Sequence, residues 1–255
     1  MDGRVVLVKE NEGRAEMRTE RLGGLQVRIT GGTDGRGAGE GPVVVLLHGF
    51  GAPGDDLVPL WQEIEAPPGT RFVFPEAPLA LQMGFGDSRA WWMLDIERRN
   101  REIAAGHARD LTLEVPKGLA EARERIVALL DDLHRRLGAD SKRTVIGGFS
   151  QGAMLACDTA IRTDRPLAGL VLLSGTLLAK DEWVPLMSKR QGLPVLQSHG
   201  NADPLLPFFQ AEQLRDLLIQ AGLAVQWISF RGAHEIPPLV LDKLGKFLRG
   251  ISAYS

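Results

Sequence analysis

Short, predominantly apolar runs recur along the chain, at residues 43–47, 71–75, 144–146, 167–173, 193–200 and 225–230. Such runs are typical of strands that are buried on both faces of a parallel sheet, whereas a strand with one wet face alternates. The stretches between the runs have a helical period. It is clearest at 119–137, where apolar residues return every three or four positions until Gly138 ends the pattern.

Strands and helices therefore alternate, and further helices are expected at 57–64, at 208–221 and after Pro238. This alternation predicts an α/β protein with a doubly wound, mostly parallel sheet and helices on both faces. No shift in composition divides the chain, so residues 1–255 are expected to form a single domain.

Three segments depart from the alternating pattern. Residues 1–42 hold two short candidate strands, 4–8 and 25–30, expected to pair antiparallel at a sheet edge, followed by a glycine-rich turn at 31–41. Residues 79–117 form a long loop near the expected active-site end of the sheet, and loops of that length are usually functional or disordered. The connection at 174–192 is too short to hold a separate cap domain, so none is expected.

Composition narrows the functional classes. The 255 residues are 44% hydrophobic and 24% charged, and the formal net charge of −2 gives no general attraction to nucleic acid or to an anionic membrane surface. No apolar run approaches the ~18 residues of a membrane span, so no integral membrane association is expected. Cys157 is the single cysteine, which fits a reducing compartment. With no secretion signal in the sequence, the expected location is cytoplasmic.

The most informative stretch is Gly-Phe-Ser-Gln-Gly at 148–152. It follows an apolar run and precedes a helical one, which is the strand–turn–helix context of a G-x-S-x-G nucleophile elbow. The pentapeptide alone is weak evidence, because an ordinary glycine-rich turn has the same composition. In the elbow reading Ser150 is the nucleophile, and the Gln151 N–H, at a helix N-terminus, donates to a developing oxyanion.

Two polar residues at later strand ends complete a candidate triad. Asp203 and His234 follow two successive strands downstream of Ser150, in the Ser–Asp–His order of α/β-hydrolases. His234 would take the serine proton, and Asp203 would hold the imidazole tautomer. The Phe50 N–H, after the strand at 43–47, is the expected second oxyanion donor. Taken singly, an Asp or His at such a position is more often structural. No histidines lie at metal-ligand spacing with a carboxylate, so no metal site is expected.

With the elbow and the candidate triad in this order, the chain resembles the phospholipase/carboxylesterase family, which includes the acyl-protein thioesterases. The motifs that carry the resemblance are LHGFG at 47–51, FPEAP at 74–78, GGFSQG at 147–152, HGNADPLLP at 199–207 and GAH at 232–234. The resemblance implies an α/β-hydrolase fold and an esterase or thioesterase that uses this triad without metal or cofactor. It also implies that Trp91 or Trp92 forms part of the substrate-pocket wall.

The leading hypothesis is a serine hydrolase that cleaves small ester or thioester substrates with short to medium acyl groups, through an acyl-enzyme. Acyl-protein thioesterase or lysophospholipase activity is the first alternative. A peptidase is the second, since the same triad cleaves amides, although no added domain would select peptides. A ligand receptor on this fold is a non-enzyme alternative, which the complete triad disfavours. A homodimer is left open.

Overall fold

The structure is a computed structural model that describes residues 17–82, 87–94 and 112–252. The strand predicted at 4–8 lies outside these residues. Residues 83–86 and 95–111 of the long loop predicted at 79–117 lie outside them as well.

Eleven strands occur in this part of the chain, and nine of them form one sheet. In the sheet the order is β1-β2-β5-β4-β8-β9-β10-β11, with β3 beside β2, while β6 and β7 pair separately. The strands are β1 (Arg18–Leu22), β2 (Leu25–Gly32), β3 (Arg36–Ala38), β4 (Val43–Leu47), β5 (Arg71–Pro75), β6 (Leu79–Ala80), β7 (Arg89–Ala90), β8 (Thr144–Phe149), β9 (Gly169–Leu173), β10 (Pro194–Gly200) and β11 (Ala224–Phe230).

The sheet is mostly parallel, as the apolar runs predict. Every neighbouring pair from β5 through β4, β8, β9 and β10 to β11 is parallel. At the opposite edge β2 is antiparallel to β5, and β1 is antiparallel to β2. The carboxyl ends of the central strands therefore meet at one edge of the sheet, where ligands bind in doubly wound folds.

Two details of the N-terminal part differ from the sequence-based expectation. On the side of β2 that faces away from β5, its antiparallel partner in the described chain is β1, which the sequence did not predict because four of its five residues are polar and give no apolar alternation. The glycine-rich turn expected at 31–41 contains the short strand β3, which pairs in parallel with the end of β2. A run of glycines gives no apolar pattern from which a strand can be predicted.

Six α-helices and two 3-10 turns lie in the described residues. The helix at 119–137 is confirmed, whereas the one expected at 57–64 shrinks to a single four-residue turn preceded by Pro59. The helices are α1 (Leu60–Glu63), α2 (Leu119–Leu137), α3 (Gln151–Arg162), α4 (Lys180–Met187), α5 (Phe208–Gln220) and α6 (Pro238–Ser252), and the 3-10 turns are Ser141–Arg143 and Ser188–Arg190.

Two hydrophobic cores lie on opposite faces of the sheet. Helices α2 to α5 pack on one face, around residues such as Ile146 and Leu155. Helix α6 packs on the other face, together with Leu57 and Ile64, which flank α1. Burial on both faces explains why the central strands are continuously apolar. Each apolar side chain that is fully buried in this way stabilises the folded state by about 1.5–3 kcal/mol. The strands therefore form a rigid base for the loops at their ends.

Candidate active site

Ser150 occupies the sharp turn between β8 and α3. Its backbone has φ 54° and ψ −118°, a left-handed conformation that few non-glycine residues adopt. The Ser150 N–H donates to the Leu173 carbonyl at 2.9 Å, and its own carbonyl accepts from the N–H groups of Ala153 and Met154 at 3.0 and 3.1 Å. These bonds fix the strained turn at the end of the sheet.

Two glycines allow the neighbouring strand to approach this turn. A Cβ atom on Gly152 would lie 2.0 Å from the Leu47 carbonyl oxygen, and one on Gly148 would lie 2.5 Å from the same oxygen. Both contacts are with backbone, which cannot rotate away. The glycine spacing of the motif therefore follows from the close packing of β4 against the elbow.

His234 and Asp203 form a short hydrogen bond. The His234 Nδ1 atom lies 2.6 Å from Asp203 Oδ2, with 12% of the histidine side chain and none of the aspartate side chain exposed. Because a carboxylate only accepts, the imidazole proton is on Nδ1, which leaves Nε2 as the basic nitrogen. The His234 ring packs on Phe149, with ring centroids 4.8 Å apart.

Ser150 and His234 line the same cavity. Among the described side chains the Ser150 hydroxyl makes no hydrogen bond to the imidazole. Contacts of this kind commonly tighten only when substrate is bound. The structure thus brings the three predicted triad residues to one place, with the histidine–aspartate half already closed.

Asp203 accepts hydrogen bonds from three further groups. Its Oδ1 atom accepts from the N–H groups of Leu205 and Leu206, at 2.8 and 3.0 Å, and its Oδ2 atom lies 3.3 Å from Nε2 of the buried His199. Burial alone would raise the pKa of Asp203, but the hydrogen bonds from His199, His234 and Leu206 bring that pKa well below its usual value. The carboxylate is therefore ionised whenever His234 can act as a base.

In the oxyanion loop after β4, residues 49–52, two N–H groups are engaged in backbone hydrogen bonds. The Gly51 N–H donates to the Arg89 carbonyl at 2.8 Å, and the Ala52 N–H donates to the Gly49 carbonyl at 3.4 Å. Within the described chain the Phe50 N–H has no acceptor. The Gln151 N–H opens α3, where no preceding turn supplies an acceptor. Both predicted oxyanion donors belong to residues that line the Ser150 cavity.

Buried side chains hold this loop in position. His48 bonds the Gly49 carbonyl through Nδ1 at 2.8 Å and accepts from the Ala77 N–H through Nε2 at 3.1 Å. Burial lowers the pKa of His48, so its ring stays neutral in this role. The Trp91 indole N–H donates to the His48 carbonyl at 2.9 Å, and the Gln151 side chain bonds the backbone of Trp91 and Trp92 at 3.0 and 2.9 Å.

The two tryptophans are buried, one behind the oxyanion loop and one beside a neighbouring groove. Trp91 and Trp92 are each 1% exposed, and neither is among the described residues that line the Ser150 cavity. Trp91 packs against the His48 ring behind the oxyanion loop, and Trp92 borders a neighbouring groove with Leu79 and Lys117. The structure gives Trp91 a supporting contact to the loop rather than a place in the pocket wall.

The cavity itself measures ≈ 150 Å³ and is bordered by apolar and neutral polar groups together with one carboxylate, that of Asp56. Burial raises the pKa of this carboxyl group above its usual value. The lining residues in the described chain are Gly49, Phe50, Ala52, Asp56, Leu94, Phe149, Ser150, Gln151, Met154, Leu205, Leu206 and His234.

Sequence reasoning missed two supporting residues. Glu76 follows β5 and is 7% exposed, and its carboxylate forms ion pairs with Arg28 of β2 and Arg89 of β7 at 3.0 Å each. The pair with Arg89 connects the end of β5 to β7, whose Arg89 carbonyl accepts from the Gly51 N–H of the oxyanion loop. His199, which follows the apolar run of β10, contacts the triad carboxylate. Both residues belong to quoted motifs, so the signal was present, but the motif does not show which atoms meet.

The described residues contain neither a metal-binding cluster nor a membrane-spanning helix. In residues 17–82, 87–94 and 112–252 no group of three or more histidine, cysteine or carboxylate side chains is arranged to hold a metal ion. Within the same ranges, none of the helices has the length and apolar character needed to cross a membrane.

Comparison with known proteins adds evidence of descent. A family model described as Phospholipase/Carboxylesterase matches residues 36–252. Acyl-protein thioesterase 1 of Candida albicans is 29% identical over 224 residues, 82% of this chain and 91% of that protein. The Yarrowia lipolytica protein of the same name is 30% identical over 196 residues, 74% and 82% of the two chains. The crystal structure of esterase PE8 has a TM-score of 0.71 and 30% identity, and covers 88% of this chain and 97% of its own.

Proposed function

This chain belongs to the phospholipase/carboxylesterase family, and we propose that it hydrolyses short-to-medium acyl esters and thioesters with Ser150, His234 and Asp203 as its triad. The α/β-hydrolase fold and the reaction class, hydrolysis of ester or thioester bonds, follow from that membership. The residue roles and the acyl length are the proposal.

The reaction proceeds in two halves. His234 Nε2 takes the proton of the Ser150 hydroxyl as Oγ bonds to the substrate carbonyl carbon, and the carbonyl oxygen becomes an oxyanion. The N–H groups of Phe50 and Gln151 donate to that oxyanion. The carbon–oxygen or carbon–sulfur bond then breaks, and the imidazolium protonates the leaving alcohol or thiol. Water, deprotonated by the same imidazole, releases the acid from the acyl-enzyme and restores Ser150.

One observation carries the proposal: the 2.6 Å bond between His234 and Asp203 lies beside a cavity that Ser150 and both oxyanion donors also line. A cavity of ≈ 150 Å³ favours a small acyl group. Each added CH₂ that is buried contributes up to about 0.8 kcal/mol, so kcat/KM rises up to about fourfold per carbon until the space is filled.

The test is a panel of p-nitrophenyl esters from acetyl to palmitoyl, with a butyryl thioester and an anilide alongside. We expect esters and thioesters to be cleaved, with a maximum at short to medium length and negligible anilide turnover. Ser150→Ala should lower kcat by several orders of magnitude and abolish labelling by a fluorophosphonate, while the circular dichroism spectrum stays unchanged. A variant that keeps more than a few per cent of the activity contradicts the nucleophile assignment, and efficient anilide cleavage favours the peptidase alternative.

Location and assembly are further proposals. We propose that the enzyme acts in the cytoplasm, in keeping with its single, buried cysteine. Fractionation of cells that produce the protein tests the location. The sequence leaves open whether the protein forms a homodimer, and sedimentation of the purified chain tests this.

A further inference from the structure

The Ser150 cavity carries one carboxylate that the reaction does not use. Asp56 is the one acidic or basic side chain, besides the His234 imidazole, among the described residues that line it. The residue follows the oxyanion loop and is exposed to solvent while it borders the cavity. Its carboxylate therefore lies at the rim, within the reach of a substrate that is bound at Ser150.

Among the described residues, no lysine or arginine neutralises this carboxylate. In the described part of the chain the Asp56 side chain accepts no hydrogen bond and forms no ion pair with a lysine or arginine; its neighbours in charge are His48 and Asp55. Two buried carboxylates of the described chain differ from it. Glu76 and Asp158 each pair with two arginines at distances between 2.7 and 3.0 Å.

The nearby histidine cannot serve as the missing cation. His48 Nδ1 is engaged with the Gly49 carbonyl and Nε2 accepts from the Ala77 N–H, so the ring is neutral. Asp56 is thus partly desolvated without compensation, which raises its pKa, and the adjacent Asp55 adds to that effect. A half-enclosed anion of this kind is stabilised by a cation that arrives with a ligand.

Resting on the proposed function, we infer that the enzyme prefers esters and thioesters that carry a positively charged group, and that Asp56 is the specificity-determining residue. Because Ser150 and Asp56 border one cavity of ≈ 150 Å³, the charge lies only a few bonds from the scissile carbonyl. A quaternary ammonium or a protonated amine satisfies this requirement. A carboxylate or phosphate at the same position is repelled.

The test compares three thioesters with the same butyryl group. Butyrylthiocholine carries a quaternary ammonium, S-(3,3-dimethylbutyl) thiobutyrate is its neutral carbon isostere, and S-butyryl-3-mercaptopropionate is anionic. The measured quantity is kcat/KM at about pH 8 and low ionic strength, where Asp56 is ionised and screening is weak. The wild-type order is expected to be cationic, then neutral, then anionic.

Asp56→Asn should lower the ratio of cationic to neutral kcat/KM about fivefold, the effect of about 1 kcal/mol for a rim ion pair. Asp55→Asn is the matched control, since it removes the same charge from an exposed neighbour that does not line the cavity. Its ratio should stay within about twofold of the wild type. An unchanged ratio in Asp56→Asn, or an equal fall in both variants, overturns the inference.

A wild-type measurement keeps the inference testable if Asp56→Asn does not fold. Raising sodium chloride from about 20 to about 500 mM should weaken turnover of the cationic thioester while the neutral isostere changes little. Equal salt dependence of the two overturns the inference. Failure of the proposed function would give a different outcome from either measurement. In that case the wild type would hydrolyse none of the thioesters, or Ser150→Ala would hydrolyse them as fast as the wild type.

Discussion

At the scale of single residues, the site depends on how each polar atom is satisfied. Asp203 uses both carboxylate oxygens, one for backbone N–H groups and one for His234 and His199. Full use of the acceptor sites fixes the carboxylate plane, which in turn fixes the imidazole tautomer. Asp56 is the contrasting case, a carboxylate that lines the Ser150 cavity without such partners in the described chain.

The lowered pKa of Asp203 predicts an acid-dependent contribution to stability. Because the folded-state pKa lies below that of the unfolded chain, the ionised carboxylate stabilises the fold above about pH 4, and this contribution is lost as the pH falls toward the folded-state value. Asp203→Asn removes it. The difference in unfolding free energy between wild type and variant, roughly 2 kcal/mol near pH 6, should therefore shrink toward pH 3.

Urea unfolding of both proteins at several pH values measures this difference. The other carboxylates, among them Glu76 and Asp158, are present in both proteins and cancel. A difference that stays constant between about pH 6 and 3 would show that Asp203 is not held in its ionised form by the fold.

The single thiol gives a second prediction at this scale. Cys157 lies in α3 and is fully buried, and burial raises the pKa of its thiol well above the usual value. Since the thiolate is the reactive species, iodoacetamide should leave the native enzyme unmodified and fully active. Mass spectrometry should find one alkylated cysteine per chain only after unfolding. Rapid labelling of the native protein would argue against this packing.

At the scale of elements, the elbow depends on the fit between β4, β8 and α3. The strand end and the first turn of the helix approach so closely that two positions accept no Cβ atom. The same contact places the oxyanion loop, which continues from β4, beside the helix N-terminus that supplies the Gln151 N–H. Packing of elements thus creates the distance that the chemistry requires.

A pair of glycine substitutions tests this packing. Gly152→Ala brings a Cβ atom to 2.0 Å from the Leu47 carbonyl oxygen, so we expect destabilisation of about 3 kcal/mol or more and loss of turnover. Gly250→Ala is the control, because beyond the neighbouring backbone of α6 no atom lies within 4 Å of the added carbon. It should stabilise the protein by up to about 0.5–1 kcal/mol. Similar melting temperatures for the two variants would contradict the argument.

At the scale of the whole molecule, the described connection between β9 and β10 places no separate cap on the active-site edge of the sheet. The connection between β9 and β10 contains only α4 and the 3-10 turn Ser188–Arg190, and α4 packs its buried Trp183 into the core beside α3. That helix supports the fold rather than covers Ser150. The segment at 79–117 supplies the Trp91 contact to the oxyanion loop.

Because this connection holds no separate cap, we expect no interfacial activation, that is, no rise in rate at an oil–water interface. Hydrolysis of tributyrin should follow the concentration of dissolved substrate and show no jump when droplets form, since the described β9–β10 connection holds no element that has to move away from the site. Rates measured below and above the solubility limit test this. Sharp activation by the emulsion would favour a true lipase and contradict the prediction.

The sequence by itself determined the elements that rest on local pattern. The continuously apolar strands, the helix at 119–137 and the chain order of Ser150, Asp203 and His234 could all be predicted, because periodicity and turn chemistry act over a few residues. Strand β1 could not, since polar residues occupy both its exposed and its half-buried positions and leave Leu22 as its single apolar residue.

Only the tertiary structure decided which side chains meet across long distances in the chain. It brought His199 to Asp203, joined Glu76 to Arg28 and Arg89, and placed Trp91 against the back of the oxyanion loop. These contacts depend on strand register and on how helices lie across the sheet. The free energy that fixes them comes from burying two cores at once, which no local segment of the chain encodes alone.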